Sequence, residues 1–386
     1  MNLGKMHLLA VVTALTLGSL GWTQDVTVVP PRGTGQPAFS NNPDPIPPPQ
    51  FAPDSKTGRN VKYPFGPEDE KMCPAGNAFS NPCETIPGGV FTPTVYGSLG
   101  GLALRRTGLN STDVASIAPA LGFTNPTLVN VQSIPINFNY GIAAEIGVVV
   151  GGGAIELSGF YLFGSPGNYT ATPTTQATGP ITAFFSSSLP SFKDVWKDVS
   201  QVNMSYAVST GNLELNYRYP FAQGLDFLVG LRYMYIRENI SIGTENDIGS
   251  TNYAFAVTDQ IVAPQIGVEF EYPLIPHFSV SFETKGALGA TFSDISHTLT
   301  QGNGVTGPGG SSNITQAAGI VELGLFGHIW FHERLKLRLG YEALWVLNIP
   351  EAQRQINSNT DLPLGNQQNQ GSIFFHGPII EFQLAF

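Results

Sequence analysis

Charge is what this sequence has least of. Asp, Glu, Lys and Arg make up 12% of the 386 residues, against about 25% in a soluble globular domain. The chain is short of the groups that keep a water-facing surface solvated. Bases are scarcer still: 18 Lys and Arg stand against 28 acids, for a formal net charge of −10. They form no basic run, and a nucleic-acid partner needs a basic patch to neutralise its phosphates, so that class is excluded. Long apolar runs are missing too. Beyond the N-terminus no stretch approaches the ~20 apolar residues of a membrane-spanning helix. Cysteine occurs only at Cys73 and Cys83, with no histidine nearby to complete a set of ligands, so no metal site and no cofactor are expected.

What the sequence does have is glycine (44), phenylalanine (25) and tyrosine (13), with 42% hydrophobic residues spread thinly along the chain. That distribution fits strands, turns and aromatic belts rather than helices, as in a transmembrane β-barrel. Length alone also allows one large soluble all-β domain.

The first residues read as an address. Lys5 precedes an apolar run from Leu8 to Leu20, with Ser19 and Gly21 as small residues before Trp22. This is the layout of a secretory signal peptide within residues 1–24, with a cut expected before Trp22 and Gln24 as an alternative last residue. No cysteine lies near the cut, which argues against a lipid anchor. Residues 25–90 are rich in proline, including Pro43, Pro45, Pro47, Pro48 and Pro49. Proline fixes φ and removes donors, so an extended periplasmic tether is expected here rather than a sheet. Export puts Cys73 and Cys83 in an oxidising compartment, where a local disulfide is expected.

From Phe91 onward, two-residue alternation recurs in ten segments. These are Phe91–Arg106, Ile136–Val149, Ala154–Phe163, Met204–Tyr219 and Leu225–Ile236, then Gln260–Tyr272, His277–Phe292, Ala317–Phe331, Leu335–Leu347 and Ser372–Phe386. Each is long enough for a spanning strand, which needs about 9–11 residues. The connections alternate in length. Val150–Gly153, Pro220–Gly224, Pro273–Pro276 and His332–Arg334 are short. Thr107–Pro135, Gly164–Asn203, Arg237–Asp259, Ser293–Gln316 and Asn348–Gly371 are long, and are expected to be polar loops. Short periplasmic turns alternating with long extracellular loops define an outer-membrane barrel. The expected fold is a single all-β antiparallel barrel of about ten strands over residues 91–386, with both mature termini periplasmic.

Alternation also sorts the faces. Between Arg334 and Val346, Leu335, Leu337, Leu339, Tyr341 and Trp345 share one face, and Arg334, Lys336, Arg338, Gly340 and Glu342 the other. A lipid-facing Arg or Lys at the bilayer midplane costs roughly 2–4 kcal/mol, so the charged face points inward. On this reasoning the lumen is lined by Glu145, Glu156, Glu214, Arg218, Arg232, Glu269, Glu271, Glu283, Lys285, Glu322, Arg338, Glu342 and Glu381. Tyr217, Tyr219, Phe221, Tyr272, Trp330 and Phe386 are expected at the periplasmic interface, and Tyr161, Tyr233, Tyr235 and Trp345 at the outer one. Phe386 ends the last strand on its apolar face and is expected to serve as the signal for the barrel-assembly machinery.

Several runs carry a family resemblance: ELNYRY (Glu214–Tyr219), LVGLRYMYIRENI (Leu228–Ile240), KGALG (Lys285–Gly289) and LRLGYEALWVLNI (Leu337–Ile349), followed by Gln355–Ile356. On these, residues 139–386 resemble the beta barrel porin-7 family of outer-membrane proteins. The chain departs from the family at Pro350–Gln353, where an Arg-Pro-Gly-Asp-like stretch is usual. The resemblance implies a barrel and a porin-type name, and no substrate.

Three functions remain open. Porin-like passage of small solutes through a narrow charged lumen leads, with cations favoured by the excess of acids. Ten strands lie near the size that side chains fill, so a plugged structural or surface-interaction barrel is the alternative. A hydrolase at the rim is third. It would rest on His297 near Asp294, and no enzymatic activity is expected. Outer-membrane lipid is the expected partner, and the oligomeric state is open.

Overall fold

The computed structural model describes residues 95–117, 126–173, 181–332, 334–361 and 370–386. The signal peptide, the proline-rich tether and the Cys73–Cys83 pairing lie outside the described residues. In chain order the strands are β1 (Val95–Arg106), β2 (Asp113–Ile117), β3 (Thr127–Asn130), β4 (Phe138–Val150) and β5 (Gly153–Leu162). Next come β6 (Gly167–Ala171), β7 (Ile181–Ala183), β8 (Gln201–Ala222), β9 (Leu225–Asn246) and β10 (Gly249–Ile275). The last are β11 (Phe278–Gln301), β12 (Gly310–His332), β13 (Leu335–Pro350) and β14 (Gln370–Ala385). No helix among the described residues is long and apolar enough to cross a membrane.

Ten of these strands close a ring. Its order is β1-β4-β5-β8-β9-β10-β11-β12-β13-β14 and back to β1, every neighbour antiparallel. The fold is therefore the expected all-β barrel, with the expected strands in the expected order. At one end the turns are tight. Gly151 and Gly152 join β4 to β5 with φ of 60° and 86°, the pair of positive values that a two-residue hairpin turn needs and glycine supplies without strain.

The opposite end departs from expectation. Arg237–Asp259 is almost all strand, because β9 and β10 continue to a two-residue turn at Asp247–Ile248. Likewise β11 runs on to Gln301 and β12 begins at Gly310, leaving little of the Ser293–Gln316 loop. Strands β8 to β12 are 22 to 27 residues long, more than twice what spanning requires. They form a tall wall. The remaining long connections fold against its inner surface: β2, β3 and β7 make a small three-stranded sheet, and Phe185, Phe192, Val195, Trp196 and Val199 join the buried core.

The physical reason these loops misread is an inversion of the faces along each strand. On β9 the outward residues run Phe227, Val229, Leu231, Tyr233 and Tyr235, then Arg237, Asn239, Ser241 and Gly243, while inward Asp226 and Arg232 give way to Ile240 and Ile242. The short-turn half is apolar outside and charged inside. The tall half is the reverse, like a soluble protein. The apolar stretch Phe227–Tyr235 rises roughly 20–25 Å on a tilted strand, matching the apolar band of a spanning barrel, about 25 Å. Leu99, Ile142, Ile146, Leu213, Ile266, Leu288, Leu325 and Phe382 continue the exposed belt around the ring. Monomeric soluble proteins do not expose contiguous apolar surface on that scale.

Candidate functional site

Alternation on the short-turn half of each strand delivers charged side chains to one interior. All of Glu145, Glu156, Glu214, Arg218, Arg232, Glu269, Glu271, Glu283, Lys285, Glu322, Arg338, Glu342 and Glu381 sit on the inward face. Sequence reasoning left out Asp226 beside the β8–β9 turn, and Lys336, assigned by alternation to the inward face, is buried there as expected.

The charges are wired across the ring. Near the tight turns Arg218 on β8 donates to Glu156 on β5 at 2.7 Å, to Asp226 on β9 at 3.4 Å and to Glu269 on β10. Tyr96 on β1 donates to the same Glu156. In the middle, Arg232 on β9 pairs with Glu214 on β8 and reaches Glu322 on β12 at 2.5 Å, passing over two strands. Lys285 lies within 2.5 Å of Glu283, 3.0 Å of Glu322 and 3.4 Å of Glu214. Arg338 holds Glu283 at 2.8 Å and Glu381 at 3.0 Å and stacks over the Phe326 ring, 3.5 Å from its centroid. The space left among these groups is a cavity of about 60 Å³, lined by Glu145, Glu214, Lys285, Arg338, Glu342 and Glu381 among others.

Above the ionic layer the interior is apolar. Met204, Met234, Ile236, Ile240, Tyr253, Phe255, Val257, Ile261, Ile295 and Leu299 are buried there. The folded-in segments cover them: Phe185 packs on Trp196 at 4.9 Å between ring centroids and on Tyr253 at 5.5 Å. Polar groups interrupt this core: the Ser293 hydroxyl donates to the buried Asp259 carboxyl, and a larger knot gathers around Arg106. Arg106 on β1 pairs with Glu351 at 2.7 Å and Glu238 at 3.2 Å and lies over the Tyr206 ring. Tyr206 donates its hydroxyl to Glu238, and the Ala352 N–H donates to the other Glu238 oxygen at 3.0 Å. The knot pins the 3-10 turn Ala352–Gln355 to the wall. Extending the β9 alternation two residues past Ile236 would have placed Glu238 inward and revealed it. On the rim, the Ser187 hydroxyl and the Ser188 N–H both donate to Asp361 and hold its carboxyl below the usual carboxylate range. They join two of the covering segments.

One expectation fails on geometry, and the pairing on which a rim hydrolase would rest is not formed. Trp330 shares the even-numbered, inward face of β12 with Glu322 and His328 and lies under Lys336, 4.9 Å from Nζ to its ring centroid, so it is no part of an outward girdle. His297 and Asp294 are an odd number of residues apart on β11, which puts them on opposite faces. His297 is buried between Tyr253 and Phe255, each 6.0 Å away, and Asp294 is outward. Tyr217, Tyr219, Phe221, Tyr272, Tyr161 and Tyr233 are exposed outward as expected. Phe386 is 76% exposed at the short-turn end, its N–H donating to the Val95 carbonyl at 2.8 Å.

No protein-family model matches the chain, and neither does any curated protein. Among solved structures it is similar to the outer membrane protease OmpT of Escherichia coli, at 10% identity and a TM-score of 0.38, over 76% of this chain and 96% of that one. It is also similar to the P. putida toluene transporter TodX, at 8% identity and a TM-score of 0.32, over 80% and 92%. A third likeness is the attachment invasion locus protein Ail of Yersinia pestis, at 8% identity and a TM-score of 0.22, over 77% and 100%. Likenesses this low assign no activity.

Proposed function

We propose that this chain is a bacterial outer-membrane barrel, both mature termini periplasmic, that is closed at rest and acts as a structural, surface-presenting barrel. The single observation that carries the reading is the filled interior: an ionic layer in the spanning half and an apolar core above it, among the described residues. The belt of exposed Leu, Ile, Val and Phe supports the membrane, and the tall wall is what such a barrel presents to the outside. The position of Phe386 on the outward face at the short-turn rim suits recognition by the assembly machinery. Reconstituted in planar bilayers, the full-length barrel is expected to give no steady conductance. A stable open channel in the unmodified protein overturns the reading.

Porin-like passage of small solutes is the second reading, favoured by the charge of the lumen. Ten carboxylates (Glu145, Glu156, Glu214, Asp226, Glu269, Glu271, Glu283, Glu322, Glu342, Glu381) face five bases (Arg218, Arg232, Lys285, Lys336, Arg338). A surplus of acids suits cation passage, and the porin-7 resemblance points the same way. Passage would require the covering segments to move. No hydrolase activity belongs to either reading, since His297 and Asp294 are divided between the faces of β11. Lipid or peptide turnover abolished by His297→Ala would overturn that.

A further inference from the structure

We propose that the short-turn end of the lumen holds a divalent transition-metal site formed by Glu269 and Glu271 of β10 and His328 of β12. This holds whether or not the barrel conducts, and it departs from the absence of metal expected from sequence. One ligand atom from each residue lies within 4.8 Å of the other two, and all three side chains are buried. The residues come from two strands separated by β11. Glu271 and His328 meet because β11 carries only serines at the inward positions between them, Ser281 opposite Glu271 and Ser279 opposite His328, both buried, while Glu269 lies opposite Glu283. Larger side chains there would keep Glu271 and His328 apart.

The two serines also support the site. Ser279 Oγ donates to Glu271 Oε1 at 2.5 Å, and Ser281 Oγ bonds His328 Nε2 at 2.8 Å. Each serine fixes one end of its neighbour and leaves the other end open. Glu271 Oε2 and His328 Nδ1 have no hydrogen-bond partner, although Glu271 is 6% and His328 1% exposed. Two bare polar atoms at this burial cost free energy unless something binds them. A metal ion does so, and an outer-shell bond on the far nitrogen or oxygen is the usual way a ligand is oriented toward one. Arg218 fixes the third carboxylate, Glu269.

Charge argues the same way. The lumen acids outnumber the bases two to one, so a bound dication offsets part of the surplus beside Arg218, which pairs with Glu269, and Lys336, which faces Glu269 and Glu271. An imidazole with two carboxylates suits Zn²⁺ and its neighbours, whose bonds to such ligands are about 2.0–2.2 Å. Mg²⁺ prefers oxygen alone and retains its waters. The ligand atoms have to draw together modestly from their present separation.

The test is Zn²⁺ titration of the folded full-length barrel in detergent, with metal content measured after gel filtration. One Zn²⁺ per barrel is expected, with Mg²⁺ failing to displace it. Ser281→Ala is expected to weaken binding about 10–100-fold, as loss of an outer-shell partner does, and Glu271→Gln and His328→Gln by more. Heat-modifiable migration reports whether each variant has folded. If a variant does not fold, Zn K-edge absorption of the loaded wild type decides, with one imidazole, oxygen neighbours and no sulfur expected. No tight Zn²⁺, binding unchanged in the folded variants, or a sulfur-containing shell from Cys73 and Cys83 overturns the proposal.

Discussion

Arg232 shows what a single buried charge does in this interior. Its Nη2 holds Glu214 on one side of the ring and Glu322 across it, and its side chain is 1% exposed. Removing one partner of such a set leaves uncompensated charge, which typically costs about 3–5 kcal/mol. Here the loss falls toward the lower figure, because Lys285 still reaches both carboxylates and Gln265 donates to Glu214 at 2.9 Å. Arg232→Ala is therefore expected to lower the unfolding free energy of the barrel in lipid vesicles by that amount, read as a lower urea midpoint at unchanged m. Lys197→Ala is the contrast, since the Lys197–Asp194 pair stands on the rim with both side chains more than half exposed. Solvent and salt screen such a pair, and its loss is expected to leave the midpoint unmoved. An equal drop for the two variants would mean the lumen charges are hydrated and the ionic layer is not closed.

At the scale of the strand, legibility followed the membrane. Where lipid lies outside, Leu, Val, Phe and Tyr alternate with Glu, Arg and Lys, and the contrast between faces is as large as sequence offers. The ten strands and the inward set from Glu145 to Glu381 were readable there. Above the belt the outward residues of β9 become Asn239, Ser241 and Gly243 and the inward ones Ile240 and Ile242. Alternation persists with reversed sign and weaker contrast, and a pattern tuned to lipid-facing strands reads it as polar loop. Arg106, Glu238 and Glu351 were hidden for a second reason: their meeting depends on a connection folding inward, which no local periodicity encodes. The inverted half should behave as a soluble core. Trp196 sits between Phe185 and Tyr253 at 4.9 and 6.4 Å, and truncating a buried tryptophan costs about 3–5 kcal/mol. Because Trp196 packs in the tall half among Phe185 and Tyr253, Trp196→Ala is expected to speed amide exchange in residues 181–200 and leave the lower halves of β9 to β12 protected. Uniform loss of protection would make the two halves one cooperative unit.

Among the described residues two different layers fill the lumen in series, and that arrangement has a consequence for any passage through it. The upper layer is apolar side chains covered by the segments around β7 and Ala352–Gln355 and fastened by Arg106. The lower layer is the network of Arg218, Arg232, Lys285 and Arg338 with their carboxylates. Opening one leaves the other intact. Replacing residues 184–198 by a short Gly-Ser linker removes Phe185, Phe192, Val195 and Trp196 from the core and so uncovers the upper layer. Alone it is expected to produce no steady conductance in planar bilayers. Combined with Arg232→Ala and Arg338→Ala in the lower layer it is expected to conduct, and to prefer K⁺ over Cl⁻. The two arginines cross the lumen, and losing them raises the surplus of acids further. Conductance from the linker variant alone would place the seal wholly in the upper layer and make the ionic layer a hydrated filter, which is the porin-like reading. Anion preference in the combined variant would show that the inward carboxylates do not line the path that opened.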